Sequence, residues 1–239
     1  RRNEHSGMAR VDHRINEKHS LFFRFAMTDG LVSQIRNALL ETRDSKIRPT
    51  NITAQWQQVW TTTLVNEAKL GFNRSALTRD DVGRIPEGVA IPGFTSTQPT
   101  TFIIEKPNAY SIVDNLSWIR GRHTIKIGGE IRRIHLNVGN GPATSVAFAN
   151  PAAFLRNSLN TVSIGSTLPT VGVRRTFSSV YVQDEIRFNP EFTLNLGLRY
   201  EHYTVSKDNY GRGRVFDIVR CQGFCTAGTP WFFGDNDNI

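Results

Sequence analysis

Eight stretches of this sequence alternate apolar and polar residues with a period of two, and the connections between them alternate between short and long. Successive strand residues point to opposite faces, so each stretch reads as an extended chain with one greasy face and one polar face. Leu21, Phe23, Phe25 and Met27 alternate with Phe22, Arg24, Ala26 and Thr28, and Ala68, Leu70 and Phe72 with Glu67, Lys69, Gly71 and Asn73. Ile125, Ile127, Gly129 and Ile131 alternate with Thr124, Lys126, Gly128, Glu130 and Arg132. Phe192, Leu194, Leu196, Leu198 and Tyr200 do so with Thr193, Asn195, Gly197, Arg199 and Glu201. With four less regular segments, the predicted strands lie near 8–15, 20–29, 50–61, 67–77, 109–119, 123–137, 177–188 and 192–204. A phase slip between Ile131 and Ile134 reads as a bulge.

The short connections, 16–19, 62–66, 120–122 and 189–191, join these strands in pairs. Between the pairs lie polar stretches at 30–49, 78–108, 138–174 and 205–239. Loops beyond about 12–15 residues are uncommon in a compact soluble domain. Transmembrane barrels are built this way, with short periplasmic turns at one rim and long outer loops at the other. In the third long stretch, Asn150 and Pro151 read as the N-cap and first residue of a short helix, with Phe154, Leu155 and Leu159 on one face.

The rest of the composition agrees. Hydrophobic residues make up 38% of the chain, low for a soluble core, while aromatics at 10% are too many for a disordered one. No run approaches the roughly 20 apolar residues of a membrane helix; Arg24 breaks the richest patch. The net charge of +8 is spread along the chain among acidic neighbours, which argues against a nucleic-acid partner. Arg1–His5 leads into no apolar leader, so the chain reads either as a cytoplasmic protein or as a piece of a longer one.

The expected fold is therefore all-β: an antiparallel up-and-down meander of about eight strands, part of a larger transmembrane β-barrel. The lipid-facing set is Leu21, Phe23, Phe25, Leu70, Phe72, Ile125, Ile127, Leu194, Leu196 and Leu198. The lumen-facing set is Arg24, Lys69, Lys126, Glu130, Arg187, Arg199 and Glu201, charges expected to pair across neighbouring strands. Trp56, Trp60, Trp118, Tyr200 and Tyr203 are placed for interfacial girdles. Asp114 and Asp184 fall on the apolar face, where lipid disfavours charge. They favour the alternative of a soluble secreted β-sandwich binding carbohydrate or protein, whose strands alternate too.

Tyr181-Val182-Gln183-Asp184-Glu185 followed by Leu194-Asn195-Leu196-Gly197-Leu198-Arg199-Tyr200-Glu201 resembles the strand–turn–strand signature of TonB-dependent outer-membrane receptors. Further motifs resemble the Oar-like branch, among them Arg10-Val11-Asp12-His13-Arg14, Gly71-Phe72-Asn73-Arg74, Asp114-Asn115-Leu116-Ser117-Trp118 and His123-Thr124-Ile125-Lys126-Ile127-Gly128-Gly129-Glu130. The resemblance spans nearly the whole chain in order. It implies a location in the bacterial outer membrane and a barrel of about 22 strands. It also implies a plug domain and TonB as partners beside the lipid, and import or export of a ligand held by loops 78–108, 138–174 and 205–239. A passive porin-like channel would share the fold.

Enzymatic chemistry is not expected. No catalytic constellation stands out, the six histidines show no metal-binding spacing, and neither a metal nor a cofactor is implied. Cys221 and Cys225, the only cysteines, are expected to form a local disulfide in an oxidising outer loop. Phe94, Phe102, Trp231, Phe232 and Phe233 are the aromatic residues available to line a ligand site.

Overall fold

The structure, a computed structural model, describes residues 1–83, 85–165, 168–214, 216–226 and 229. Its elements are β1 (Arg2–Arg14), β2 (His19–Ile35), β3 (Thr42–Thr61), β4 (Leu64–Val82), β5 (Gly88–Ala90), β6 (Thr101–Arg120), β7 (His123–Asn140), β8 (Ala143–Ala147), helix α1 (Pro151–Leu155), β9 (Thr161–Gly165), β10 (Leu168–Arg187), β11 (Thr193–Tyr203), β12 (Lys207–Asp208), β13 (Phe216–Asp217) and β14 (Gly223–Phe224). Eight long strands form one antiparallel meander in the order β1-β2-β3-β4-β6-β7-β10-β11, and β12 takes up the edge of β10 beyond the end of β11. The edges β1 and β11 do not pair with each other, so the wall is open.

The short turns close by local chemistry. Asn16 Oδ1 accepts the N–H groups of Lys18 and His19, and Asn189 Oδ1 those of Glu191 and Phe192. At the β6–β7 turn Gly121 takes φ +62°, a conformation that a Cβ would strain.

The outer ends differ from expectation. Stretches 30–49, 78–108 and 138–174 are not loops throughout: β2, β3, β4, β6, β7 and β10 run on into them, leaving connections at 36–41, 83–100 and 141–167. The expected bulge between Ile131 and Ile134 is absent, because β7 pairs with β6 in one unbroken register from Asn140 to His123. What changes there is polarity. Beyond Ile131 the outward positions of β7 hold Arg133 and His135 and the inward ones Ile134, Leu136 and Val138. The slip in the sequence is an exchange of faces, not an extra residue.

Cross-strand register puts the apolar sets on one continuous face. Phe23 stands beside Val11 and Ala54, Ala54 beside Leu70, Leu70 beside Ile112, Ile112 beside Ile131. Further along, Ile127 stands beside Val182 and Val182 beside Leu198. Among the described residues nothing packs on this face: Leu70 is 57% exposed, Ile112 61% and Leu198 74%. Among the described residues the buried apolar side chains are Phe148, Phe177 and Cys225. A soluble sandwich would bury such a face against a second sheet, and among the described residues no second sheet covers it. The opposite face is the more covered: on β10, Ser179 is 5% exposed and its neighbour Val180 60%.

From Trp118 to Tyr110 the apolar face runs about 27 Å along β6, or about 21 Å across a membrane at the usual strand tilt. That approximates the apolar band of an outer-membrane barrel.

Candidate binding surfaces

All ten residues of the lipid-facing set lie on the exposed apolar face, and all seven of the lumen-facing set lie on the other. Contrary to the expectation, among the described residues the seven do not form ion pairs across strands. Glu67 holds Lys69, Glu130 holds Arg132 at 2.5 Å and Arg199 holds Glu201 at 2.5 Å, each two residues apart on one strand. Residues i and i+2 share a face some 7 Å apart, within reach of long side chains. Neutral and charge-assisted hydrogen bonds make the cross-strand links instead. Gln55 Nε2 donates to Glu67 Oε2 (2.6 Å), Arg24 to Asn51 Oδ1 (3.0 Å), and Asn51 to Asn73. Tyr181 Oη reaches across Gly128 to Asn115 Oδ1 (2.9 Å), and a Cβ on Gly128 would collide with both partners. Among the described residues no ion pair holds Lys126 or Arg187. A cavity of about 640 Å³ opens on this polar face beside Met8, Ala26, Asn51, Asn73 and Arg132.

The two aspartates of the apolar face have separate solutions. Asp184 lies near the short-turn rim, with Oδ2 2.6 Å from His123 Nδ1. Asp114, mid-strand, accepts from Asn66 Nδ2 (2.9 Å) and has Gly129 as its cross-strand neighbour. Trp56, Trp118 and Tyr200 lie on the apolar face by register. Tyr203 does not: it lies on the polar face, 4.7 Å from the Phe177 ring and under the Arg175 guanidinium at 4.2 Å. It lies three positions beyond Tyr200, an odd step that a period of two sends inward.

At the outer end, connections 83–100 and 141–167 are tied together. Strand β8 pairs in parallel with β5 and antiparallel with β9, making a three-stranded cap. Asn150 caps α1 by accepting from Ala153 N (2.8 Å), and Phe154 meets Phe148 edge-on at 5.1 Å. The helix stops at Leu155, so Leu159 shares no face with it, and Leu155 is 83% exposed.

Below the cap lies a network that the sequence did not announce. The buried Glu41 accepts from Asn37 Nδ2 (2.7 Å) and Gln98 N (2.8 Å), fixing the 36–41 turn to connection 83–100. Asp81, 6% exposed, binds Arg43 at 2.6 Å and Arg36 at 3.5 Å. Asp208 gathers the N–H groups of Gly172, Tyr210, Arg212 and Gly213 at 2.6–3.1 Å. Burial pushes its carboxyl up, but the four donors outweigh burial and hold it below the ordinary carboxylate range. Cys221 and Cys225 are joined by a disulfide beside the β13–β14 hairpin. Phe94 is 65% exposed in connection 83–100, whereas Phe102 belongs to β6; Trp231, Phe232 and Phe233 lie outside the described residues.

No curated protein matches the chain. Among solved structures it is similar to the outer membrane transporter YddB from Escherichia coli, at 10% identity and a TM-score of 0.36, over 87% of this chain and 35% of that one. The chain thus spans about a third of the length of that structure. The family model of the outer membrane beta barrel domain matches residues 1–238, a span that takes in the whole of the wall just described. The chain belongs to the outer membrane beta barrel domain family, and its place is the bacterial outer membrane.

Proposed function

We propose that these strands are part of the wall of a TonB-dependent receptor of the Oar-like branch, which captures a ligand at its outer loops and carries it across the outer membrane. The observation that carries this reading is the open wall. Eight strands suffice for a small barrel, yet β1 and β11 stay apart, which fits a wider barrel with room for a plug. The motif order noted in the sequence supports the same family, and the tied cap offers an outer surface for ligand capture. Partners on this reading are lipid, a plug domain, TonB and a transported ligand. Turnover, nucleic-acid binding and a cofactor form no part of it.

The test is conductance of the full-length protein in planar lipid bilayers, together with binding of the purified periplasmic domain of TonB. A plugged receptor stays closed until denaturant loosens the plug, and it binds TonB. A channel that is open at rest and ignores TonB is a passive porin, and the proposal fails.

A further inference from the structure

We propose that the outward-facing cations just above the apolar band, Arg74, Lys106, Arg133 and Arg174, form a seat for phosphate-bearing lipid headgroups of the outer leaflet. Their level follows from the strands themselves. On β4 the apolar face ends at Phe72 and the next outward residue is Arg74. On β7 it ends at Ile131, followed by Arg133 and His135. On β6 Tyr110 is followed outward by Asn108 and Lys106, and on β10 Val180 by Ser178, Thr176 and Arg174. Register makes these residues neighbours: Arg74 faces Asn108, Asn108 faces His135, and His135 faces Arg174. Because the long connections are the outer ones, this is the level of the outer-leaflet headgroups.

These four cations differ from others on the wall. Arg48, on the same outward face, is held by Asp29 at 2.6 Å, and Arg10, Arg132, Arg199 and Arg43 also hold carboxylates. Among the described residues, none of the four forms an ion pair. Arg133 donates to Thr176 Oγ1 (2.6 Å), and Arg174 to Asn137 Oδ1 (2.9 Å) and Val173 O (3.0 Å). Hydrogen bonds to neutral oxygens orient a guanidinium but leave its charge uncompensated. Asp80 lies higher on β4, Lys207 is the residue that faces Arg174 on β12, and Asp208 faces the inward Val173 and is occupied by its four backbone donors.

Arg133 and Arg174 stand diagonally on the adjacent strands β7 and β10, about 7–8 Å apart, within reach of one phosphate for two forked guanidinia. Cations at a membrane surface also draw anionic lipid. The occupant is a lipid and not a soluble anion because the seat continues downward into Phe72, Tyr110, Ile112 and Ile131, an exposed apolar track for acyl chains.

The experiment uses the full-length protein in phosphatidylcholine nanodiscs doped with bisphosphorylated lipid A, re-extracted into mild detergent and weighed by native mass spectrometry. Wild type is expected to retain lipid A. The combined variant Arg74→Gln, Lys106→Gln, Arg133→Gln, Arg174→Gln should retain about tenfold less or lower still. Removing four cations near the short-turn rim (Arg14→Gln, Lys18→Gln, Arg120→Gln, Arg122→Gln) should leave retention unchanged. Dephosphorylated lipid A tests the same point on unaltered protein and is expected to be lost. Equal retention by the belt variant, equal retention of the dephosphorylated lipid, or displacement by millimolar inorganic phosphate would each overturn the proposal.

Discussion

The lower and upper halves of the wall are built from the same strands, yet on β7 and β10 they are inside out relative to each other. Between the short turns and the level of Phe72, Tyr110 and Ile131, the outward face is apolar and the inward face carries Lys69, Lys126 and Glu130. Above that level, β7 and β10 turn Leu136, Val138, Val171 and Val173 inward and Arg133, His135 and Arg174 outward. The backbone does not change, since the ladder continues without a bulge. What changes is the surrounding medium. Lipid rewards apolar atoms on the outside, whereas water rewards them on the inside, where they cover one another. A reversal of phase along an intact strand therefore marks where the wall leaves the membrane.

The sharpest way to break this comparison is to put a charge on the outside of each half. In the full-length protein, Leu70→Arg should cost about 2–4 kcal/mol in lipid vesicles, whereas Thr42→Arg, outward but high on β3, should change stability by about 0.5 kcal/mol at most. Urea titration of both variants in vesicles checks this, and equal costs would refute the reversal. Next in size is Asp81→Ala in the upper half, which leaves Arg36 and Arg43 without their shared carboxylate. Because both guanidinia are partly exposed, the loss should be about 2 kcal/mol, below that of a fully buried pair.

Asp114→Leu sharpens the comparison in the opposite direction. In a bilayer, removing a mid-strand carboxylate should stabilise the wall by about 1 kcal/mol, whereas in a water-facing sheet the loss of the bond from Asn66 should destabilise it. The smallest effect belongs to Asp208. Its folded carboxyl titrates below its unfolded value, so its stabilisation is complete above the ordinary carboxylate range and disappears as pH falls through the lowered value. Amide exchange at Arg212 and Gly213 should accelerate over that acidic window, and Asp208→Asn should abolish the pH dependence.

The lower half was legible from sequence because its two faces differ in polarity at nearly every position, as in Leu21–Met27 and Thr124–Arg132. Most of the upper half reads from sequence as loop, beyond the strand ends expected at 29, 77 and 137. Its strands mix both classes on each face: β4 turns Leu77, Arg79 and Asp81 inward, and β6 turns Ile104 and Phe102 outward. The signal that would have found it was the slip at Ile131 and Ile134, read as an inserted residue when the phase reversal extended to Val138. Glu41 and the Asp81 cluster had no local signature, since their partners Gln98 and Arg36 arrive from other strands and connections. The i,i+2 pairing of inward charges was readable in principle from Glu67/Lys69, Glu130/Arg132 and Arg199/Glu201.

The most direct test of the two-medium wall is a spin-label scan of β4 from Leu64 to Val82 in the full-length protein reconstituted in bilayers, comparing accessibility to oxygen and to a water-soluble nickel chelate. The account predicts oxygen-accessible labels at Ala68, Leu70 and Phe72, nickel-accessible labels at Glu67, Lys69 and Gly71, and the loss of hydrocarbon contact at outward positions from Arg74 on. Oxygen accessibility that continued with the same phase to Asp80, or nickel accessibility on both faces below Phe72, would contradict it.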